Sequence, residues 1–246
     1  PRLHNNFVNN LKTEKTLSAD LSYAFRFGPV SGKVSGYFAQ IGDQVEQTAY
    51  FNDQYSTFTY LTMSDVKKRY YGVEAALVYQ IISGLSVNLM GSYGDALYVN
   101  NPYAQVSYEG MKASEIQRLN TCKNPVTGKN MPLQVIADGM RVGGTPLTAV
   151  SLGVNYNVSG WFFEANLNYY DRTYIGHSAY RRLSNVMKNE VFGNSFDANG
   201  NPVWEHTGAE YAANGGIRLD QNGNVVEART ARQEKCKGGF MLDASI

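Results

Sequence analysis

The sequence predicts an all-β fold, an antiparallel transmembrane β-barrel segment, and three observations carry that prediction. Apolar and polar residues alternate over stretches of about twelve residues. Short Gly-marked turns alternate with long connections, and charged residues make up only 17% of the 246-residue chain. Side chains on a strand point alternately to its two faces, so such alternation gives one apolar and one polar face. Sorting the connections by length distinguishes the two ends of the sheet, as in outer-membrane barrels with short periplasmic turns and long extracellular loops. A soluble antiparallel sheet meets water at both ends and has no reason to sort them.

The reversals at 28–32, 82–84 and 158–160 are tight and carry glycine. Between them the connections 45–68, 99–144 and 173–238 read as loops of about 24, 46 and 66 residues. Strands are expected over 16–27, 33–44, 71–81, 85–93, 146–156, 161–169 and 239–246.

In TLSADLSYAFRF the odd positions Leu17, Ala19, Leu21, Tyr23, Phe25 and Phe27 are apolar, and the even ones are nearly all polar. The same pattern sets Tyr71, Val73, Ala75, Leu77, Tyr79 and Ile81 against Gly72, Glu74 and Gln80. Leu85, Val87, Leu89 and Tyr93 oppose Ser86, Asn88 and Ser92. Val150, Leu152, Val154 and Tyr156 oppose Ser151, Gly153 and Asn155, and Trp161, Phe163, Ala165, Leu167 and Tyr169 oppose Glu164, Asn166 and Asn168. These five apolar faces hold no charge. Adjacent Tyr37 and Phe38 leave the outward face of 33–44 unassigned.

Alternation alone suits a soluble sandwich as well as a barrel. Strand length, polar-face chemistry and aromatic placement favour the barrel. Globular strands average about 5–6 residues, whereas membrane strands need about 9–11. The polar faces carry Ser, Asn, Gly and isolated charges instead of the Lys and Glu of a soluble exterior. Aromatics close both ends of the apolar faces, as with Tyr71 and Tyr79 or Trp161 and Tyr169, and Phe27 and Tyr156 stand beside short turns. Eight residues at ~3.4 Å, tilted about 40°, span roughly 21 Å, close to the ~25 Å apolar band between aromatic girdles.

Composition excludes other classes. No apolar run approaches the ~18 residues of a transmembrane helix. The formal net charge of +1 lacks the basic excess of a nucleic-acid protein. Residues 1–6 have neither a charged n-region nor an apolar h-region. Seven strands are an odd number, and bacterial single-chain barrels are even. The chain is therefore expected to be a piece of a larger barrel.

Asn9-Asn10-Leu11-Lys12-Thr13-Glu14 resembles the N-P-x-L-K-P-E segment that introduces a barrel strand in TonB-dependent outer-membrane receptors. Tyr71-Gly72-Val73-Glu74 is similar to the signature with which their strands re-enter the membrane after a long loop. Tyr169-Tyr170-Asp171-Arg172 and Gly239-Phe240-Met241-Leu242-Asp243 resemble the late barrel of such receptors in Bacteroides-like bacteria. Thr13 departs from the usual proline. The resemblance implies a 22-stranded barrel in the outer membrane of a Gram-negative cell. It also implies a plug domain and a segment for an inner-membrane energy-coupling partner upstream, and further strands downstream. The implied function is uptake of a scarce nutrient, whether iron chelate, cobalamin, glycan or peptide. The alternative is a passive porin or a structural, adhesin-like barrel.

Candidate binding residues lie in the long loops. Tyr50, Phe51, Tyr55, Phe58 and Tyr60 crowd the first, where exposed rings at a receptor mouth can stack on a sugar or catechol. The same rings also suit a hairpin rising above the membrane and packing on neighbouring loops. His177 near the mouth is a lone candidate ligand. Asp197-Ala-Asn-Gly-Asn and Asp220-Gln-Asn-Gly-Asn lack the Gly position and bidentate Glu of a calcium loop, and read as hairpin turns. Glu74, Glu164, Asp20, Arg26 and Arg172 are assigned to the wet faces, at spacings that define no catalytic site. His4, His177 and His206 are far apart, and the two cysteines form no C-x-x-C. No enzyme activity, metal, cofactor or nucleic-acid partner is expected. Cys122 and Cys236 lie in long loops on one edge, and an oxidising periplasm favours a disulfide between them. The loops carry nearly balanced charge, the third having eight Lys and Arg against seven Asp and Glu.

Overall fold

A computed structural model describes residue 8 and residues 11–53, 56–123, 127–184, 195–196, 198, 202–203, 215–219, 225–230 and 233–246. In chain order the elements are β1 (Lys15–Phe27), β2 (Val30–Asn52), β3 (Thr57–Ile82), β4 (Leu85–Tyr98), β5 (Tyr103–Tyr108), α1 (Ala113–Asn120), β6 (Thr121–Lys123) and β7 (Asn130–Pro132). There follow β8 (Thr148–Val158), β9 (Trp161–Asp171), β10 (Ser195–Phe196), β11 (Pro202–Val203), β12 (Gly215–Leu219), β13 (Val225–Thr230) and β14 (Gly239–Ser245). Among the described residues no helix is long and apolar enough to cross a membrane.

Seven strands form one antiparallel sheet in the order β1-β2-β3-β4-β8-β9-β14, and β5 pairs with the upper part of β3. The sheet is open, with β1 and β14 at its edges. All three tight reversals lie at one end. Each has two residues, 28–29, 83–84 and 159–160. Val30–Gly32, expected in the first turn, belong to β2 instead. At the third turn Ser159 and Gly160 have φ of 48° and 85°. Two successive positive φ values suit a tight hairpin, because their twist matches that of the flanking strands.

Directly paired residues of an antiparallel sheet share a face, so the register defines rows across it. One row runs Gly32, Leu77, Leu89, Leu152, Leu167 and Leu242, crossing six strands. The next row on the opposite face runs Val78, Asn88, Gly153, Asn166 and Asp243. The expected faces of β1, β3, β4, β8 and β9 are therefore in phase. Register also settles β2: Val34 and Phe38 join the apolar face, and Tyr37 the polar one. There Tyr37 lies across two glycines. A Cβ at Gly72 or Gly94 would stand 2.7 or 2.6 Å from its hydroxyl oxygen.

The segment 45–68 is not a loop. β2 and β3 continue past the rest of the sheet as a paired ribbon, from Glu46 opposite Met63 to Asn52 opposite Thr57. Asp43 and Asp65 both have φ of 58° and stand where the register breaks. An extra residue in a strand inverts which side chains share a face. Below the bulge the polar face takes Lys68 and Gly72; above it, that side takes Leu61 and Met63.

This inversion builds the hydrophobic core. Leu61, Met63 and Val66 of β3, Tyr98 of β4, Ala104 and Val106 of β5 and Leu133 and Val135 of the second connection are buried in one cluster with Leu183 of the third. The core caps the loop end of the sheet on its polar side. The second connection holds β5–β7 and α1, and Asn120 ties α1 to β5 by donating to Val106 O at 2.8 Å. In the third, β10 pairs with β11 and β12 with β13, so strands flank both Asn-Gly segments as hairpin turns require. The turn residues 197, 199–201 and 220–224 lie outside the described residues.

Candidate functional site

Beneath the cap, four elements bring a polar cluster together on the polar side of the sheet. Glu46 of β2 pairs with Lys68 of β3. The Tyr98 hydroxyl of β4 donates to Glu46 Oε2 at 3.0 Å, and Lys68 Nζ lies 5.0 Å from the Tyr98 ring centroid. His177, from the segment after β9, packs edge-on against Tyr98 with centroids 5.0 Å apart at 86°.

Burial, then the Glu46 carboxylate, pushes the Tyr98 phenol far above its ordinary pKa. Tyr98 therefore remains a hydrogen-bond donor. Burial, helped by Arg182 and Lys68 and opposed by Glu46, brings His177 down to about 4. It is neutral at pH 7, and its buried Nε2 makes no hydrogen bond among the described residues. A neutral imidazole with a free nitrogen is a capable acceptor or ligand. Among the described residues, however, no group of three His, Cys, Asp or Glu side chains is placed to hold a metal.

The aromatic residues of 45–68 divide between two sides. Tyr50 turns inward, 5.0 Å from the Tyr180 ring, and packs against the cap core. Phe51 and Phe58 are cross-strand partners on the outward side, meeting edge to face at 5.6 Å. Tyr60, opposite Ala49, shares their exposed side. Tyr55 lies outside the described residues. Tyr50 and His177 thus belong to the cap, while Phe51, Phe58 and Tyr60 point away from it.

Arg172, assigned by strand parity to the wet face, stands on the apolar one. Its φ of 58° breaks the alternation at the end of β9. The guanidinium lies 4.5 Å from the Tyr93 ring centroid, donates to Asp95 Oδ2 at 3.0 Å and reaches Gly94 O at 2.8 Å. Arg141 grips the same carboxylate through Nε at 2.9 Å and Nη2 at 3.2 Å.

Cys236 is a free, exposed thiol, which departs from the expected disulfide. Its N–H donates to Thr173 O at 2.8 Å, beside the end of β9, whereas Cys122 sits opposite Met131 in the separate β6–β7 ribbon. The Cys122 side chain lies outside the described residues.

Two concavities accompany the cluster. A groove of about 320 Å³ on the polar face is lined by Lys33, Ser35, Glu74, Ser92, Asn168 and Tyr170. A cavity of about 640 Å³ opens beside the bulge, with Asp43, Asp65 and Lys12 among Leu11, Val45 and Tyr103. The cluster of Glu46, Lys68 and Tyr98 escapes sequence reading because its members meet only once both bulges are in place. Gly42-Asp43 is the one local hint of that irregularity. No protein-family model matches this chain, and no curated protein or solved structure is significantly similar to it.

Proposed function

We propose that this chain forms part of the wall and mouth of an outer-membrane β-barrel receptor that takes up a scarce nutrient. One observation carries the reading: among the described residues, the connections fold into a core over the polar face and leave the apolar face uncovered. In water the opposite arrangement is favoured, because burying apolar area is the dominant driving force of folding. A sheet whose apolar side meets lipid and whose polar side lines a water-filled lumen needs no cover on the apolar side.

The open edges at β1 and β14 fit the same account. Unpaired backbone groups in hydrocarbon cost several kcal/mol each, so further strands close the barrel in the membrane. The cap, joined to the wall through Glu46, Lys68, Tyr98 and His177, then narrows the mouth on the extracellular side. A narrowed mouth suits selective capture better than free diffusion. Energy from an inner-membrane partner, as the TonB-dependent resemblance implies, would drive release inward.

Planar-bilayer recording of the full-length protein tests this function. A receptor closed in its resting state gives no steady conductance. Stable ohmic channels without an energy source would make the protein a passive pore instead.

A further inference from the structure

The apolar face changes character at its loop end. Leu17, Gln40, Arg69, Leu97 and Arg141 form one row by register, directly above the row of Ala19, Phe38, Tyr71 and Asp95. Arg172 reaches the same Asp95 from the end of β9. Arg69 bonds the neutral amide of Gln40, through Nε at 3.2 Å and Nη2 at 3.0 Å. Among the described residues, three guanidiniums therefore stand against one carboxylate, leaving two positive charges uncompensated within the patch.

Three neighbouring aspartates do not cancel that surplus, because each has a lysine partner of its own. Asp43 faces Lys12 and Lys15, Asp65 faces Lys67, and Asp171 faces Lys235. At the turn end of the same face the row Val30, Tyr79, Val87, Val154, Ala165 and Ala244 holds no charge. The basic patch is one-sided, and it sits immediately above exposed Tyr71 and Tyr93.

We propose that Arg69, Arg141 and Arg172 seat the phosphate of an anionic lipid headgroup in the leaflet at the loop end. The proposal rests on the membrane reading of the apolar face. Guanidinium matches phosphate oxygens in paired hydrogen bonds, more specifically than an ammonium does. An arginine at the border of an apolar belt lays its stem along the hydrocarbon and holds its charge at headgroup level. Arg69 and Arg141 are two inter-strand steps apart, roughly 10 Å, so one phosphate-bearing headgroup can approach both. The acyl chains of such a lipid would run along the strands toward the leucine row.

The test titrates the full-length protein, in a neutral detergent, with phosphatidic acid and with diacylglycerol of the same acyl chains. Bound lipid is counted by native mass spectrometry. Phosphatidic acid is expected to bind about tenfold more tightly, a preference that weakens with salt. Arg69→Gln, which leaves the Asp95 contacts intact, should remove most of that preference. Arg69→Lys should retain part of it, and Lys33→Gln on the polar face should change nothing. Equal binding of the two lipids, or an unaltered preference in Arg69→Gln, overturns the headgroup site while leaving the membrane reading intact. Inorganic phosphate binding as tightly as phosphatidic acid would also overturn it, since the site would then need no lipid. Failure of both lipids to bind would contradict the membrane reading together with the proposal.

Discussion

Leu77 and Leu89 are direct cross-strand partners in β3 and β4, and both are exposed, at 38% and 47%. Leu152, Leu167 and Leu242 continue their row to the edge of the sheet, also exposed. A continuous row of exposed leucines on a face that the described connections leave uncovered is the kind of apolar patch that marks a surface made to meet a partner or a membrane. In the proposed membrane reading, its position midway along the strands makes it the centre of the lipid-facing belt.

Charge placed on this row should therefore be costly where charge on the other face is not. Arginine at the midplane of a barrel's lipid face costs about 2–4 kcal/mol, and much less near the interfaces. Leu89→Arg is expected to impair assembly of the intact protein. Ser92→Arg, opposite Glu74 on the polar face, should be tolerated far better. Heat-modifiable mobility on gels after refolding into vesicles measures the difference, and equal effects at both positions would count against the account.

The Tyr37 seat makes a separate prediction about packing. A Cβ at Gly72 would also stand 2.8 Å from Gly94 Cα and from Tyr93 O. Gly72→Val should destabilise the sheet by roughly 1–3 kcal/mol, as overpacking does elsewhere. Adding Tyr37→Ala should recover only part of that loss, because the backbone contacts remain. Full recovery in urea titrations would show that the tyrosine alone sets the need for glycine.

His177 supplies a pH dependence whose sign is fixed. Its pKa falls from 6.5 when free to about 4 in the cap, so the docked state favours the neutral imidazole. The undocked state binds more protons between those values, and docking stability rises with pH across that window. The contribution is fully present above pH 6.5 and is lost as pH falls toward 4. Amide protection over 173–184, taken relative to the intrinsic exchange rate at each pH, should thus fall between pH 7 and pH 5. His177→Phe, which keeps a ring against Tyr98, should flatten the dependence; an unchanged profile in that variant would show that His177 does not set it.

Strand order and most face assignments were legible because they depend on local alternation and on short turns. β2 escaped face assignment because its apolar side carries glycine at 32 and 36, which removes the alternation signal, while Tyr37 fills the opposite side. The β2–β3 ribbon reads as a loop because Asp43 and Asp65 invert the parity halfway along. Parity places Arg172 on the wrong face for the same reason, one positive φ at the end of β9 turning it to the other side. The cap cluster was not legible at all. Tyr98 and His177 meet across a long separation in sequence, and their contact depends on how two connections pack together.

The central claim is that the leucine face meets lipid and the Ser92 face meets water. Spin labels at positions 89 and 92 of the full-length protein in vesicles test it by collision with oxygen, which concentrates in hydrocarbon, and with a water-soluble nickel chelate. The account predicts strong oxygen relaxation and little nickel relaxation at 89, and the reverse at 92. Strong nickel relaxation at 89, or equal profiles at the two sites, would contradict it.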